Sequence, residues 1–414
     1  MTRYITIVAA IGACVVFFAT CLSGPRAERY AGSAACLKCH GKLYDSFHGT
    51  AHAFASMPAS GAFIKGSFQQ DSNRFSFNDY SRLPVDVHVV MERRDSGFYQ
   101  TAWIDGKPRR TERFGVVIGA GRKAQSYLYW RGNQLLQLPI SWFAATHSWA
   151  NSPGFPTAQI KFNRLIPAHC LECHATTATL YATTETIPGP DPPAYFDRAR
   201  LIYGIGCENC HGPGVQHIAF HQQHPDDTTA AYIVNPARLS RQRRLDICSA
   251  CHSGIRQALQ PAFSFQAGDT LANYFGPSPS VDTGNIEVHG NQYGLLAASK
   301  CFRQSTLECG SCHNPHGADD TSLAVFSQRC MNCHAPASTQ DAERVPVRRT
   351  NIRPPYCKRI PAKDEDIRTN CIDCHMPVKA SGLVNLMVPG QKQLAPLLVR
   401  THLIAVYPES KFER

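Results

Sequence analysis

Methionine is scarce in this chain: six among 414 residues, the initiator included. Sulfur donors must come almost entirely from cysteine. No G-x-x-x-x-G-K-[ST] loop is present, which argues against a phosphate cradle, and no H-E-x-x-H helix, which argues against the common zinc-peptidase arrangement. A serine-based triad pattern is missing as well. Beyond residue 25 no apolar run is long enough to cross a bilayer. The formal charge is +11, yet no Lys/Arg block is interleaved with aromatics, so the excess does not point to nucleic acid.

Against these absences stand 18 cysteines and 18 histidines. Fourteen of the cysteines fall in seven C-x-x-C-H units: Cys36, Cys39 and His40; Cys170, Cys173 and His174; Cys207, Cys210 and His211; Cys248, Cys251 and His252; Cys309, Cys312 and His313; Cys330, Cys333 and His334; Cys371, Cys374 and His375. Zinc ribbons pair C-x-x-C units and would need an even number or extra ligands. Neither a ribbon, a thiol redox pair nor an iron–sulfur run requires histidine directly after every second cysteine. The spacing reads as covalent c-type haem attachment, the two thiols bonding the ring edge and the histidine meeting the iron. Seven haems in 414 residues leave about 59 residues for each, so porphyrin would make up much of the core.

Residues 4–25 are uncharged and mostly apolar, with Arg3 before them. Segment 1–27 therefore reads as a signal peptide or an N-terminal membrane anchor, with lipid modification at Cys21 as a third option. The body is expected to be exported, periplasmic or at the cell surface. Cys301 and Cys357 belong to no unit and in an oxidising compartment could pair. Ferric bis-histidine haems with ionised propionates contribute about −1 each, reducing the +11 to about +4.

The expected organisation is a first-haem segment at 31–60, a haem-free β-rich insertion at 61–145, a six-haem core at 146–377 and a C-terminal covering segment at 378–414. The insertion is read from VDVHVVMERR, GFYQTAWI, ERFGVVIG, QSYLYWRG and QLLQLPISW, alternating stretches broken by turn residues, as in antiparallel hairpins. PGPDPPAYF and GPSPSVDTG are turn-rich connectors. The fold class predicted is a multihaem cytochrome c, mainly short α-helices and irregular loops around covalent haems, with one small antiparallel insertion.

Eleven histidines lie outside the units. A second histidine on the far side of an iron gives an electron-transfer site; an iron left open could do chemistry. His48 or His52 could cap a haem from the segment after the first unit. His316 and His169 lie too close to their own units to cap those irons and point to neighbours. His217 and His289 stand beside glycines in loops, and His147 and His402 complete the set. His48, His88, His221 and His224 read as structural. Met376, directly after His375, is badly placed to cap its own haem.

Several stretches resemble the multihaem cytochromes c related to tetrahaem cytochrome c-554 and larger haem-rich exported cytochromes. GSAACLKCHGKLYDSFHGTAHAFAS looks like their first-haem region, which would make His52 a distal ligand. GIGCENCHGPGVQH and ECGSCHNPHG are similar to their segments that assign the same role to His217 and His316. NCIDCHMP and the region ending in GRKAQSYLYWRGNQLLQLPISW are familiar from the same group. Catalytic relatives often use an attachment motif ending in lysine; all seven here end in histidine.

The expected function is electron transfer along seven haems, with no bond chemistry by side chains. Expected partners are other exported or membrane cytochromes, a quinol-linked donor or a terminal reductase, with a homo-oligomer as a further option. The alternatives are an oxidoreductase of a small nitrogen or sulfur compound, and a subunit of an extracellular cytochrome filament.

Overall fold

The structure, a computed structural model, describes residues 29–77, 85–155, 159–182, 193–282, 286–318, 322–334, 370–387 and 394–407. The N-terminal segment 1–27 and Cys357 lie outside these residues, so neither the leader nor a Cys301–Cys357 bond is addressed. Among the described residues no helix is long and apolar enough to cross a membrane.

Strands β1 (Ser56–Pro58), β2 (Arg74–Ser76), β3 (Val87–Arg94), β4 (Gly97–Ile104), β5 (Lys107–Arg113), β6 (Val116–Ile118), β7 (Ala124–Arg131), β8 (Gln134–Gln137), β9 (Ile140–Phe143), β10 (Ser148–Asn151) and β11 (Arg164–Leu165) form two antiparallel sheets. One runs β2-β3-β4-β5. The other runs β1-β6-β7-β8-β11, with β9 and β10 attached through β7. The β4–β5 register pairs Ile104 with Lys107, leaving Asp105 and Gly106 as a two-residue loop at φ 49° and 68°. Both residues need positive φ in such a turn, and Asp-Gly is the pair that tolerates it.

The two sheets share one core of Phe75, Val89, Met91, Tyr127, Leu136, Ile140, Phe143 and Trp149. Gln100 ties them together: its amide donates to the Ile140 carbonyl (2.7 Å) and its carbonyl accepts from the Ile140 amide (3.2 Å). Trp149 is buried, donates to the Ser67 carbonyl (2.8 Å), and packs so tightly on Gly66 that a Cβ there would sit 2.1 Å from the ring. Truncating a large buried aromatic removes its transfer energy and leaves a cavity. Trp149→Ala is therefore expected to cost about 3–5 kcal/mol, read as a lower denaturant midpoint of the holoprotein.

The expectation of mainly short helices with one small β insertion is overturned. The described residues hold fifteen strands. The sheet system takes in β1 and β10–β11 on either side of 61–145. Two further antiparallel pairs follow: β12 (Ala175–Thr177) with β13 (Ile202–Tyr203), and β14 (Val378–Leu386) with β15 (Ala395–Arg400). The reason is tertiary. VKASGLVNL carries small and polar residues among its apolar ones, but Val384, Leu386 and Leu397 bury themselves in the lobe core, and Asn151 accepts from the Met387 amide (2.7 Å). Packing against a preformed apolar face stabilises a strand that its local pattern barely marks.

The C-x-x-C-H units sit on short helices or turns: Leu37–Phe47, Ala168–Glu172, Cys207–His211, Arg241–His252, Cys309–Ser311, Leu323–His334 and Ile372–His375. In Arg241–His252, Ser240 caps the first turn by accepting from the Arg243 amide (3.4 Å), and the unit closes the last turn.

Candidate haem centres

All eighteen histidines lie among the described residues. Four of the seven unit histidines face a histidine from a distant segment. His40 stacks opposite His217, ring centroids 6.4 Å apart and 17° from parallel. His211 faces His316 at 5.9 Å and 20°. His313 faces His402 at 6.3 Å and 25°. His252 faces His52 at 6.1 Å, nearly perpendicular at 78°. Two metal–imidazole bonds of about 2 Å, plus the two ring radii, separate ligand centroids by roughly 6 Å. Each gap is thus the width of one hexacoordinate iron.

The hydrogen bonds agree with that use. His211 Nδ1–H donates to the Val234 carbonyl (2.9 Å), His217 Nδ1–H to Ala231 (2.8 Å) and His375 Nδ1–H to Ala405 (2.8 Å). A carbonyl can only accept, so the proton is on Nδ1 and the Nε2 lone pair is left for a metal. Burial also disfavours the charged form: it holds His174 and His211 below the usual imidazole range, and His402 at about 4, with His313 adding to the effect. The residues present fit a bis-imidazole iron.

The thiols cluster as well. The thiols of Cys36 and Cys207, Cys173 and Cys251, Cys248 and Cys309, and Cys330 and Cys371 are neighbours, each pair joining two different units. Cys210 acts electrostatically on Cys248 and Cys251, and Cys312 on Cys330. Every unit is therefore linked to another. The first joins the third, the third the fourth, and the fourth the second and fifth; the fifth, sixth and seventh follow in line.

The remaining candidates are placed elsewhere. His147, at φ 47°, is exposed beside Trp142, and His289 is exposed, its amide bonded to Glu287. His169 bonds Glu172 and lies edge-on to Phe275. None of these three belongs to the four pairs. His221 uses Nε2 to donate to the Thr229 carbonyl (3.0 Å), which occupies the ligand nitrogen. His48 packs on Tyr44, His224 on Phe220, and His88 is buried against Trp103 beside Asp86. Cys301 sits on Lys300–Gln304, near Cys312, Cys330 and Cys333.

Comparison with known proteins matches residues 145–212 to the family "Cytochrome c554 and c-prime". The chain is 22% identical over 189 residues to multiheme cytochrome MtrA of Shewanella baltica, covering 40% of this chain and 52% of that protein. It is 27% identical over 171 residues to the C-type polyheme cytochrome OmcB of Geobacter sulfurreducens, covering 36% of this chain and 20% of that one. Over these stretches the chain is similar to the multihaem c-type cytochromes. It spans about half the length of MtrA and a fifth of OmcB. The outer cell wall cytochrome OcwA aligns with 91% of the chain at a TM-score of 0.47 and 17% identity.

Four carboxylates border the cysteines of the C-x-x-C-H units, a feature that sequence reading missed although three of them stand between the paired cysteines. Asp373 pairs with Arg400 (2.7 Å), Glu308 with Arg244 (2.8 Å), and Glu172 with His169. Glu208 differs. It is 3% exposed and held by three backbone amides: Ala31 (2.8 Å) and Gly214 (2.7 Å) donate to Oε1, and Gly32 (2.8 Å) to Oε2.

Proposed function

We propose that the protein passes electrons, one at a time, through seven covalently attached c-type haems between exported or membrane redox partners. The fourteen unit cysteines would hold the porphyrins by thioethers. His40, His174, His211, His252, His313, His334 and His375 would be the proximal ligands, with His217, His316, His52 and His402 the distal ligands opposite His40, His211, His252 and His313. Haem, when bound, supplies the one-electron couple. The chain supplies ligation, burial and spacing; no bond is made or broken, and each electron received is passed on. Two neutral imidazoles suit both oxidation states of iron and keep reorganisation small.

The observation that carries this reading is the set of four iron-wide histidine gaps, each bridging two distant segments. Electron paramagnetic resonance of the oxidised holoprotein, with haem counted by mass, tests it. Near-parallel ligand planes give rhombic low-spin signals, and a perpendicular pair gives a strongly anisotropic one. Three of the first kind and one of the second are expected from the four assigned sites. Their replacement by high-spin signals would reject the assignment.

A second reading rests on His174. It is half-buried, and no histidine ring is paired with it among the described residues. An iron there with an exchangeable face could reduce a small nitrogen or sulfur compound. Cyanide or nitric oxide would then convert a high-spin signal in the resting protein. Absence of any response restricts the protein to electron transfer. The relatives' names, multiheme and polyheme cytochrome, support other multihaem cytochromes as the class of partner.

A further inference from the structure

We propose that Glu208 sets the low-potential end of the relay: its buried carboxylate, fixed between the first and third attachment units, biases the iron sites of His40 and His211 toward the ferric state. This rests on the relay reading above and goes beyond it by naming the residue that orders the potentials.

Three observations carry the argument. The first is position. Glu208 lies between Cys207 and Cys210 of the third unit, and its oxygens bind the amides of Ala31 and Gly32, just before the first unit. Ser33 closes the same contact by accepting from the Cys207 amide (3.1 Å). The thiols of Cys36 and Cys207 meet there, and both feel the carboxylate. The second is chemistry. All three partners are N–H donors, so both oxygens act as acceptors only, as in an ionised carboxylate. The third is contrast. Asp373 and Glu308 each have an arginine and Glu172 has His169, whereas among the described residues no Lys, Arg or His pairs with Glu208. Its charge is solvated by fixed amide dipoles, which lower its energy without cancelling its field.

A negative charge in a medium of low effective dielectric acts on its neighbours with little screening. It favours whichever oxidation state is more positive. Loss of an electron from a nearby iron is therefore easier, and the potential is lower. Electrons would then tend to leave the first and third units for the fourth and those beyond it.

The same carboxylate also clamps residues 31–33, so the test must separate charge from architecture. Potentiometric titration of the purified holoprotein would be run on the parent, Glu208→Gln and Glu208→Asp. Glutamine removes the charge at nearly unchanged shape but gives up one of the two acceptors; aspartate keeps the charge and both acceptors and shortens the reach. In Glu208→Gln one or two one-electron steps should rise by about tenfold in equilibrium constant, about 59 mV for one electron, and the rise should persist at high salt. Glu208→Asp should stay close to the parent. Unchanged steps in the glutamine variant, or equal rises in both variants, would overturn the proposal, the second by assigning the effect to the clamp alone. If the glutamine variant fails to accumulate, a rise in the charge-retaining aspartate variant has the same overturning force, and its parental potentials support the proposal. The parent's haem count by mass tests the relay reading separately.

Discussion

Alanine at both Cys248 and Cys251 is expected to slow electron passage between the two halves of the protein far more than loss of the second unit's haem does. The fourth unit is the one whose thiols neighbour three others: Cys251 meets Cys173 of the second, Cys248 meets Cys309 of the fifth, and both lie in the field of Cys210 of the third. Without its porphyrin, the first and third units lose the route through the fourth to the fifth, sixth and seventh, and only the contact that His316 of the fifth segment makes opposite His211 remains. The matching double replacement at Cys170 and Cys173 removes a side branch and leaves that line intact. Both variants should lose one haem by mass. Electron passage from a donor docked near the first unit to an acceptor near the seventh should fall markedly only in the Cys248/Cys251 variant. Stopped-flow reduction, following early and late absorbance changes, distinguishes them. Equal loss in both would refute the arrangement of the units.

The second large effect concerns His402. Its replacement by alanine should leave the covalent haem count unchanged and convert one low-spin iron, that of His313, to high spin. In the parent protein this ligand should also resist acid. Burial and the neighbouring His313 hold the His402 imidazole at about 4, against about 6.5 for a free histidine. Because the pKa of the free imidazole is depressed, and iron bound at the same nitrogen opposes protonation further, the ligating form persists as pH falls through 6.5 to about 4 or below. An acid titration followed by electron paramagnetic resonance should therefore show the low-spin signal of this site intact at pH 5. Its disappearance between pH 7 and 6 would contradict the pairing.

The attachment units were legible because their chemistry is local: two thiols and an imidazole within five residues. The hairpins at 87–104 and 124–137 were legible for the same reason, their alternation and turn residues being written in consecutive positions. The distal partners were not. His40 meets His217, and His52 meets His252, through chain returns that no local pattern encodes. His217 and His289 were read alike as loop residues, yet His217 lies on the helix Val215–Gln223 and faces a unit histidine, while His289 is exposed. His147 lies apart from the four pairs for a different reason. It sits in a tight turn at the edge of the β lobe, facing Trp142 and solvent. The β14–β15 pair escaped because its stability comes from the lobe it covers, and Glu208 because a buried acid reads as an ordinary spacer residue until its three amide partners are seen.

The crossed histidine pairs carry a last consequence, for maturation. Residues 40 with 217, 211 with 316, 313 with 402 and 52 with 252 are each joined only when iron is seated, so four metal bridges would close four large, overlapping rings of polypeptide. Such bridges act on the unfolded ensemble as disulfides do, by removing the freedom of long loops, yet they open and reform with the ligand rather than with a redox partner. The ring closed by His402 can form only after translocation has delivered residue 402. Until then the fifth porphyrin would be tethered through its sulfurs with one face exposed, a transient form that trapping with a diffusible ligand during export should catch.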